Sequence, residues 1–261
     1  MRDCATLRHA DTLISYTKTW SLVHMAAITG PPNPEYDHMF TNPSYKAHVY
    51  PPSEDSFLLL DAIADDKTFI QERCGGGSGG GGGGLGTVVE IGVGSGYVLS
   101  GVGQVFGTDE GTEYTGVDIN PVALEATQTT WAASGLDPSH LHLVLGDAAD
   151  ALEPEFRADL ILFNPPYVPT PPEEVGSDGI AASWAGGDRG RQVLDRVLPS
   201  ILSLLSPHGV FYLLLLAEND PDQVSSLLTD QGFSVSSIAS TTAGPESLSI
   251  HRIHRPTPPM P

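Results

Sequence analysis

The apolar run Leu160-Ile161-Leu162-Phe163 ends abruptly in Asn164-Pro165-Pro166-Tyr167. Two successive prolines lack the N–H that a ladder needs, so a buried strand has to stop there. The chain leaves its sheet at this point and presents an amide side chain and an aromatic ring at the strand's C-terminal end. Open α/β sheets bind ligands at that end. A simple strand-terminating turn is the plain alternative, since Asn-Pro favours turns. The choice between the two depends on how the neighbouring strands end.

They end in polar residues. Thr87-Val88-Val89-Glu90-Ile91 runs into Gly92-x-Gly94-x-Gly96 and then into a helix. Glycines there permit positive φ and close approach of a ligand to the backbone. The spacing is not G-x-G-x-x-G, which argues against a nicotinamide dinucleotide. Glu90 precedes the first glycine, where a carboxylate orients the loop or meets a cationic ligand. The strand Glu113–Val117 ends in Asp118, about 20 residues past the glycines, the place of the ribose-binding carboxylate in Rossmann-type folds. Asn120-Pro121 then opens a helix to about Ser134. Leu141–Leu145 ends in Gly146-Asp147-Ala148. Ahead of all these, Tyr50-Pro51-Pro52-Ser53-Glu54-Asp55-Ser56 introduces an apolar helix, with Ser53 at the N-cap and Glu54 and Asp55 in the first turn. The segment reads equally well as a capped helix and as a lid whose polar end faces a ligand.

Beyond Tyr167 comes a long stretch without regular patterning, Val168 to Asp188, expected to be a substrate-facing flap. A helical stripe follows to Leu205, interrupted by Pro199, where a kink is expected. Then come a strand at Gly209–Leu216, a helix at Pro221–Leu228 and two strands near 233–238 and 247–253. Alternation from Val88 onward predicts a mostly parallel sheet with helices on both faces and an antiparallel last strand. Residues 1–40 are expected to be a disordered extension, 41–255 the folded domain, 75–84 a flexible glycine-rich linker and 256–261 a frayed tail.

Charge and composition exclude several classes. The 261 residues carry a formal net charge of −20, from 12 Lys+Arg against 32 Asp+Glu. Nucleic-acid binding draws its affinity from neutralising phosphates, so a large DNA or RNA footprint is disfavoured. No apolar run reaches the roughly 18 residues that span a bilayer. Two cysteines make no disulfide framework, which points to a reducing compartment: the cytoplasm, with the nucleus second. His140-x-His142 reads as ordinary edge-strand histidines, and no metal site is expected.

With these residues assembled, the chain resembles the class I methyltransferases that use S-adenosylmethionine, and within them the HemK-type release-factor glutamine methyltransferases. Asn164-Pro165-Pro166-Tyr167 resembles the Asn/Asp-Pro-Pro-Tyr/Phe motif of amide and amino-nitrogen methyltransferases. Val168 to Gly176, Trp184-Ala185-Gly186-Gly187, Gly190-Arg191 and Tyr50-x-Pro52-x-Glu54-Asp55-Ser56 resemble the eukaryotic/archaeal branch. The resemblance covers about residues 45–255. It implies a seven-stranded Rossmann-like sheet of order 3-2-1-4-5-7-6 and S-adenosylmethionine as cofactor. It also implies a methyl transfer to the glutamine of the Gly-Gly-Gln loop of eukaryotic class I release factor, and a heterodimer with a small zinc-binding activator. By the same resemblance Tyr50, Glu54, Asp55, Ser56, Glu90, Gly92, Gly94, Gly96, Asp118, Asp147, Ala148 and Asn164 face the cofactor. Asn164, Pro165, Pro166 and Tyr167 face the substrate, and Asn164, Pro165 and Tyr167 act in catalysis.

The physical problem is that an amide nitrogen is a poor nucleophile, its lone pair being delocalised into the carbonyl. The Asn164 side-chain oxygen and the Pro165 carbonyl are expected to accept its two N–H bonds, with Tyr167 packed on the amide plane. An adenine-N6 methyltransferase shares this logic, and a protein-lysine methyltransferase or an inactive scaffold are further readings. The expected strand order makes Leu141–Leu145 an edge, so that strand is where the activator is expected to pair.

Overall fold

The computed structural model describes residues 34–75, 84–108, 111–176, 179–244 and 246–256. The helices are α1 (His38–Thr41), α2 (Pro43–His48), α3 (Glu54–Asp65), α4 (Lys67–Cys74), α5 (Tyr97–Phe106), α6 (Pro121–Ala133), α7 (Gln192–Leu204) and α8 (Pro221–Asp230). The strands are β1 (Thr87–Ile91), β2 (Glu113–Asp118), β3 (Leu141–Leu145), β4 (Ala158–Phe163), β5 (Val168–Pro169), β6 (Ala185–Gly187), β7 (Leu205–Leu216), β8 (Ser234–Ala243) and β9 (Glu246–His254).

Seven strands form one sheet in the order β3-β2-β1-β4-β7-β9-β8. In strand sequence that is 3-2-1-4-5-7-6, as expected. β9 runs antiparallel to both its neighbours, and the remaining pairs are parallel. The central strands are apolar on both faces, as buried parallel strands must be. Val88, Leu160, Leu162, Tyr212 and Leu214 pack under α3, α4, α5 and α6, through Leu59, Ile63, Ile70, Leu99 and Trp131. Val89, Ile91, Ile161, Phe163, Phe211 and Leu213 pack under α7 and α8, through Leu194, Val197, Ile201, Val224 and Leu228. The order reverses between β1 and β4, which opens a crevice at their C-terminal ends.

Several expectations are corrected. The extension expected to be disordered through residue 40 is already folded by residue 34. The Tyr36 ring meets Tyr97 edge-on at 5.3 Å, and Met39 is buried with Tyr45, Ala123 and Ala126. Residues 1–33, 76–83 of the glycine tract and 257–261 of the tail lie outside the described residues. Ser53 occupies the N-cap of α3, yet its side chain makes no capping bond. β7 begins at Leu205 rather than Gly209, because a register shift between Ala158 and Leu160 absorbs the Pro207 region. The flap is partly regular: β5 and β6 pair with each other across it. α7 starts at Gln192 and carries Pro199 inside it.

Candidate active site

One wall of the crevice is made by the ends of β1 and β2. Gly92, Gly94 and Gly96 all adopt positive φ, at 69°, 54° and 76°, a conformation that strains any residue with a Cβ. They do different things. Nothing lies within 4 Å of where a Cβ on Gly92 would stand, so this backbone faces open space. A Cβ on Gly96 would sit 2.6 Å from the Thr127 Cα, so Gly96 lets α5 and α6 approach. Asp118 accepts from Gly94 N and from Asn120 N, each at 2.9 Å. A carboxylate has about four acceptor sites, so these donors leave it capacity for a ligand in the cavity that it lines. Burial raises its carboxyl above the usual range, against the pull of those backbone donors.

Glu90 is 3% exposed, and its Oε2 has no hydrogen-bond partner among the described residues. Burial pushes its carboxyl well above the usual range, and the nearby Asp118 adds to the effect. A buried, under-satisfied acid in a cleft marks a place where a ligand's cation or donor belongs.

The other wall is the end of β4 together with the start of α3. Asp55 Oδ1 accepts from Ser56 N at 2.7 Å and from Ser56 Oγ at 3.2 Å. Its Oδ2 accepts from Asn164 Nδ2 at 2.9 Å and from the Tyr167 hydroxyl at 3.3 Å. A carboxylate only accepts, so it fixes the Asn164 amide with its NH2 toward Asp55 and its oxygen away. That oxygen, Oδ1, is buried and has no partner among the described residues. Burial and then Asp55 push the Tyr167 phenol well above its ordinary range, so Tyr167 remains a neutral donor. The Tyr50 ring meets Trp184 at 6.1 Å over the mouth.

Both walls enclose one cavity of about 440 Å³, a size that suits a small cofactor. Asp55, Glu90, Asp118, Asp147, Glu174 and Glu246 line it, with no Lys or Arg among the described lining residues.

The segment 84–175 matches the family model described as methyltransferase small domain. Over 204 residues the chain is 39% identical to methyltransferase HEMK2 of Homo sapiens, covering 77% of this chain and 87% of that protein. The chain belongs to the HEMK2 family of methyltransferases. It is also 33% identical to the eRF1 methyltransferase catalytic subunit mtq2 of Schizosaccharomyces pombe, over 79% of this chain and 89% of that protein. The Mtq2–Trm112 complex of E. cuniculi shares the fold, with a TM-score of 0.53 and 24% identity over 80% of this chain and 99% of that one.

The residues fit the cofactor that a HEMK2-family enzyme implies. The glycine turn leaves open backbone at Gly92, Asp118 has acceptors for a diol, and Glu90 offers a buried acid whose Oε2 has no partner among the described residues. Tyr50, Asp55, Ser56, Asp147, Ala148 and Pro165 to Tyr167 also line the cavity, as expected. Two expected residues stand back from it. Glu54 is on the first turn of α3 outside the lining, and Gly96 serves helix packing. Asp147 is already engaged, since both its oxygens accept from the Arg196 guanidinium, at 2.8 and 3.1 Å.

Sequence reasoning missed the residues that hold the site from behind. The Thr127 hydroxyl donates to Gly94 O at 3.2 Å and the Thr130 hydroxyl to Ser95 O at 2.6 Å. His38 Nε2 meets Thr130 Oγ1 at 2.9 Å. The signal was faint: two threonines three apart, Thr127 and Thr130, on the buried face of α6. Glu246, from the start of β9, reaches the cavity with no local pattern to announce it.

Proposed function

We propose that this HEMK2-family enzyme methylates the side-chain amide nitrogen of the glutamine in the Gly-Gly-Gln loop of eukaryotic class I release factor. It does so as the catalytic subunit of a heterodimer with a small zinc-binding activator, in the cytoplasm where translation ends. The observation that carries this reading is the Asn164 amide, held by Asp55 so that its buried Oδ1 has no partner among the described residues. The relative named as an eRF1 methyltransferase subunit supports the choice of substrate.

S-adenosylmethionine, when bound, supplies a methyl group on a positively charged sulfur. Glu90 and Asp118 would hold it along the glycine turn. Asn164 Oδ1 accepts one N–H of the planar acceptor. The β4 ladders end at Phe163, so the Pro165 carbonyl lies beyond them and accepts the other. Two acceptors on one nitrogen restrict its rotation and favour the charge that develops on it. Tyr167 packs on the amide plane and excludes water. The proton is lost after transfer, so no strong base is required.

β3 is one edge of the sheet and presents Leu145 to solvent. An apolar edge strand pairs readily with a second chain, and the activator is assigned there. That a relative's structure is a Mtq2–Trm112 complex is consistent with such a partner.

The deciding experiment follows labelled methyl transfer to release factor and to duplex DNA, with and without the activator. Release factor is labelled and DNA is not; Asn164→Ala lowers kcat by roughly 10²–10³-fold. Undiminished transfer by Asn164→Ala refutes the mechanism, and strong labelling of DNA overturns the substrate. The acidic lining favours one second reading, a lysine acceptor, and a lysine peptide in the same assay tests it.

A further inference from the structure

Asn219 follows β7 and is 1% exposed, far in sequence from every residue assigned above. Its Oδ1 accepts from Leu216 N at 2.8 Å. Its Nδ2 donates to Tyr167 O at 2.8 Å and to Arg189 O at 2.9 Å. Both amide hydrogens are therefore used, and the side chain joins three segments: the end of β7, the Asn-Pro-Pro-Tyr motif and the end of the flap.

Pro165 and Pro166 have no N–H, so the backbone of the motif lacks two of its four donors. Asp55 holds the Asn164 and Tyr167 side chains, and Asn219 holds the backbone through the Tyr167 carbonyl. The flap turn is laid directly on the motif. A Cβ on Gly190 would fall onto the Tyr167 carbonyl, and one on Gly186 would meet the Pro166 carbonyl. Val168 N also donates to Trp184 O at 2.9 Å. One buried amide thus bridges the acceptor corner and the end of the flap, beside the backbone bonds of Val168 and Thr170 to the flap.

Building on the function proposed above, we propose that Asn219 is a positioning residue for methyl transfer, acting through the Tyr167 backbone. A structural role alone would affect stability. A positioning role affects turnover separately from cofactor binding.

The test compares wild type with Asn219→Ala, Asn219→Asp and Asn219→Ser, each with the activator present. Leu228→Ala, a core deletion in α8, serves as the control for lost stability. Below all melting points Asn219→Ala lowers kcat about 10- to 100-fold, as expected when reacting groups are misplaced. Its cofactor Kd stays within about twofold of wild type. Asn219→Ser keeps one donor and recovers part of the rate, and Leu228→Ala keeps kcat. Asn219→Asp, which turns an acceptor toward two carbonyls, is as slow as Asn219→Ala; if it does not fold, alanine and serine carry the comparison. Hydrogen exchange supplies a readout independent of substrate. In Asn219→Ala the Val168 and Thr170 amides exchange faster while those of β1 and β2 do not. An unchanged kcat together with unchanged exchange at Val168 and Thr170 overturns the proposal. A wild type that labels no release factor overturns the functional reading instead, and the exchange result still decides the role of Asn219.

Discussion

Asp55 accepts from Ser56, Asn164 and Tyr167 together, so its charge orients the acceptor corner even though it lies outside the motif. Asp55→Asn replaces one acceptor oxygen by a donor and lets the Asn164 amide turn over. Single-turnover measurement at saturating cofactor should show the chemical step slowed roughly 10–100-fold. Glu90 makes the opposite trade. Its carboxyl is raised by burial. Between the ordinary glutamate pKa and the raised one, the folded state keeps a proton that the unfolded state has lost. Stability of the cofactor-free protein therefore falls as pH rises through that window. Glu90→Gln removes this fall: its melting temperature at neutral pH should exceed that of wild type, while cofactor affinity drops. A Glu90→Gln protein that melts earlier at neutral pH would contradict the assignment. At this scale Asn164, Asp118 and Glu90 were legible because each sits at the end of a strand the sequence announces. The pairing of Asp55 with Asn164 spans 109 residues, and no local pattern encodes such a distance.

At the scale of elements, β1 to β4 were readable because each is a short apolar run closed by glycine, a carboxylate or proline. β7 was misread at its start because Pro207 looks like a break, whereas a register shift lets the strand begin before it. Gly209 permits this, since a Cβ there would come 2.8 Å from the Ala158 carbonyl. The paired β5 and β6 were invisible because two- and three-residue strands carry no periodicity. The two edges of the sheet differ in kind. β8 is rich in serine and threonine, whereas β3 carries Leu141, Leu143, Val144 and Leu145. Leu145 is 58% exposed, so Leu145→Asp should leave the melting temperature of the isolated chain nearly unchanged. Placed inside an interface, the same charge is desolvated, and association with the activator should weaken at least about tenfold by titration calorimetry. Undiminished binding would move the activator away from β3.

The whole molecule is strongly acidic, at −20, and its cavity repeats that sign. A basic partner or substrate is steered toward it over a range set by the Debye length, about 10 Å at 0.1 M salt. Stopped-flow association with release factor should therefore slow steeply between low and physiological ionic strength, while dissociation changes less. A flat salt dependence would mean that the field is not used for encounter. The layers and strand directions were legible from alternation and the strand order from the family resemblance, but the way distant segments meet at the site was not. The knot at Asn219 carries this further. The glycine turn, Asp118 and Asp147 of the cofactor wall all precede Ala148, whereas the Tyr167 carbonyl is held by a residue beyond β7. The substrate corner is thus closed by contacts between segments far apart in the chain, and such contacts carry a larger loop-closure cost than local ones.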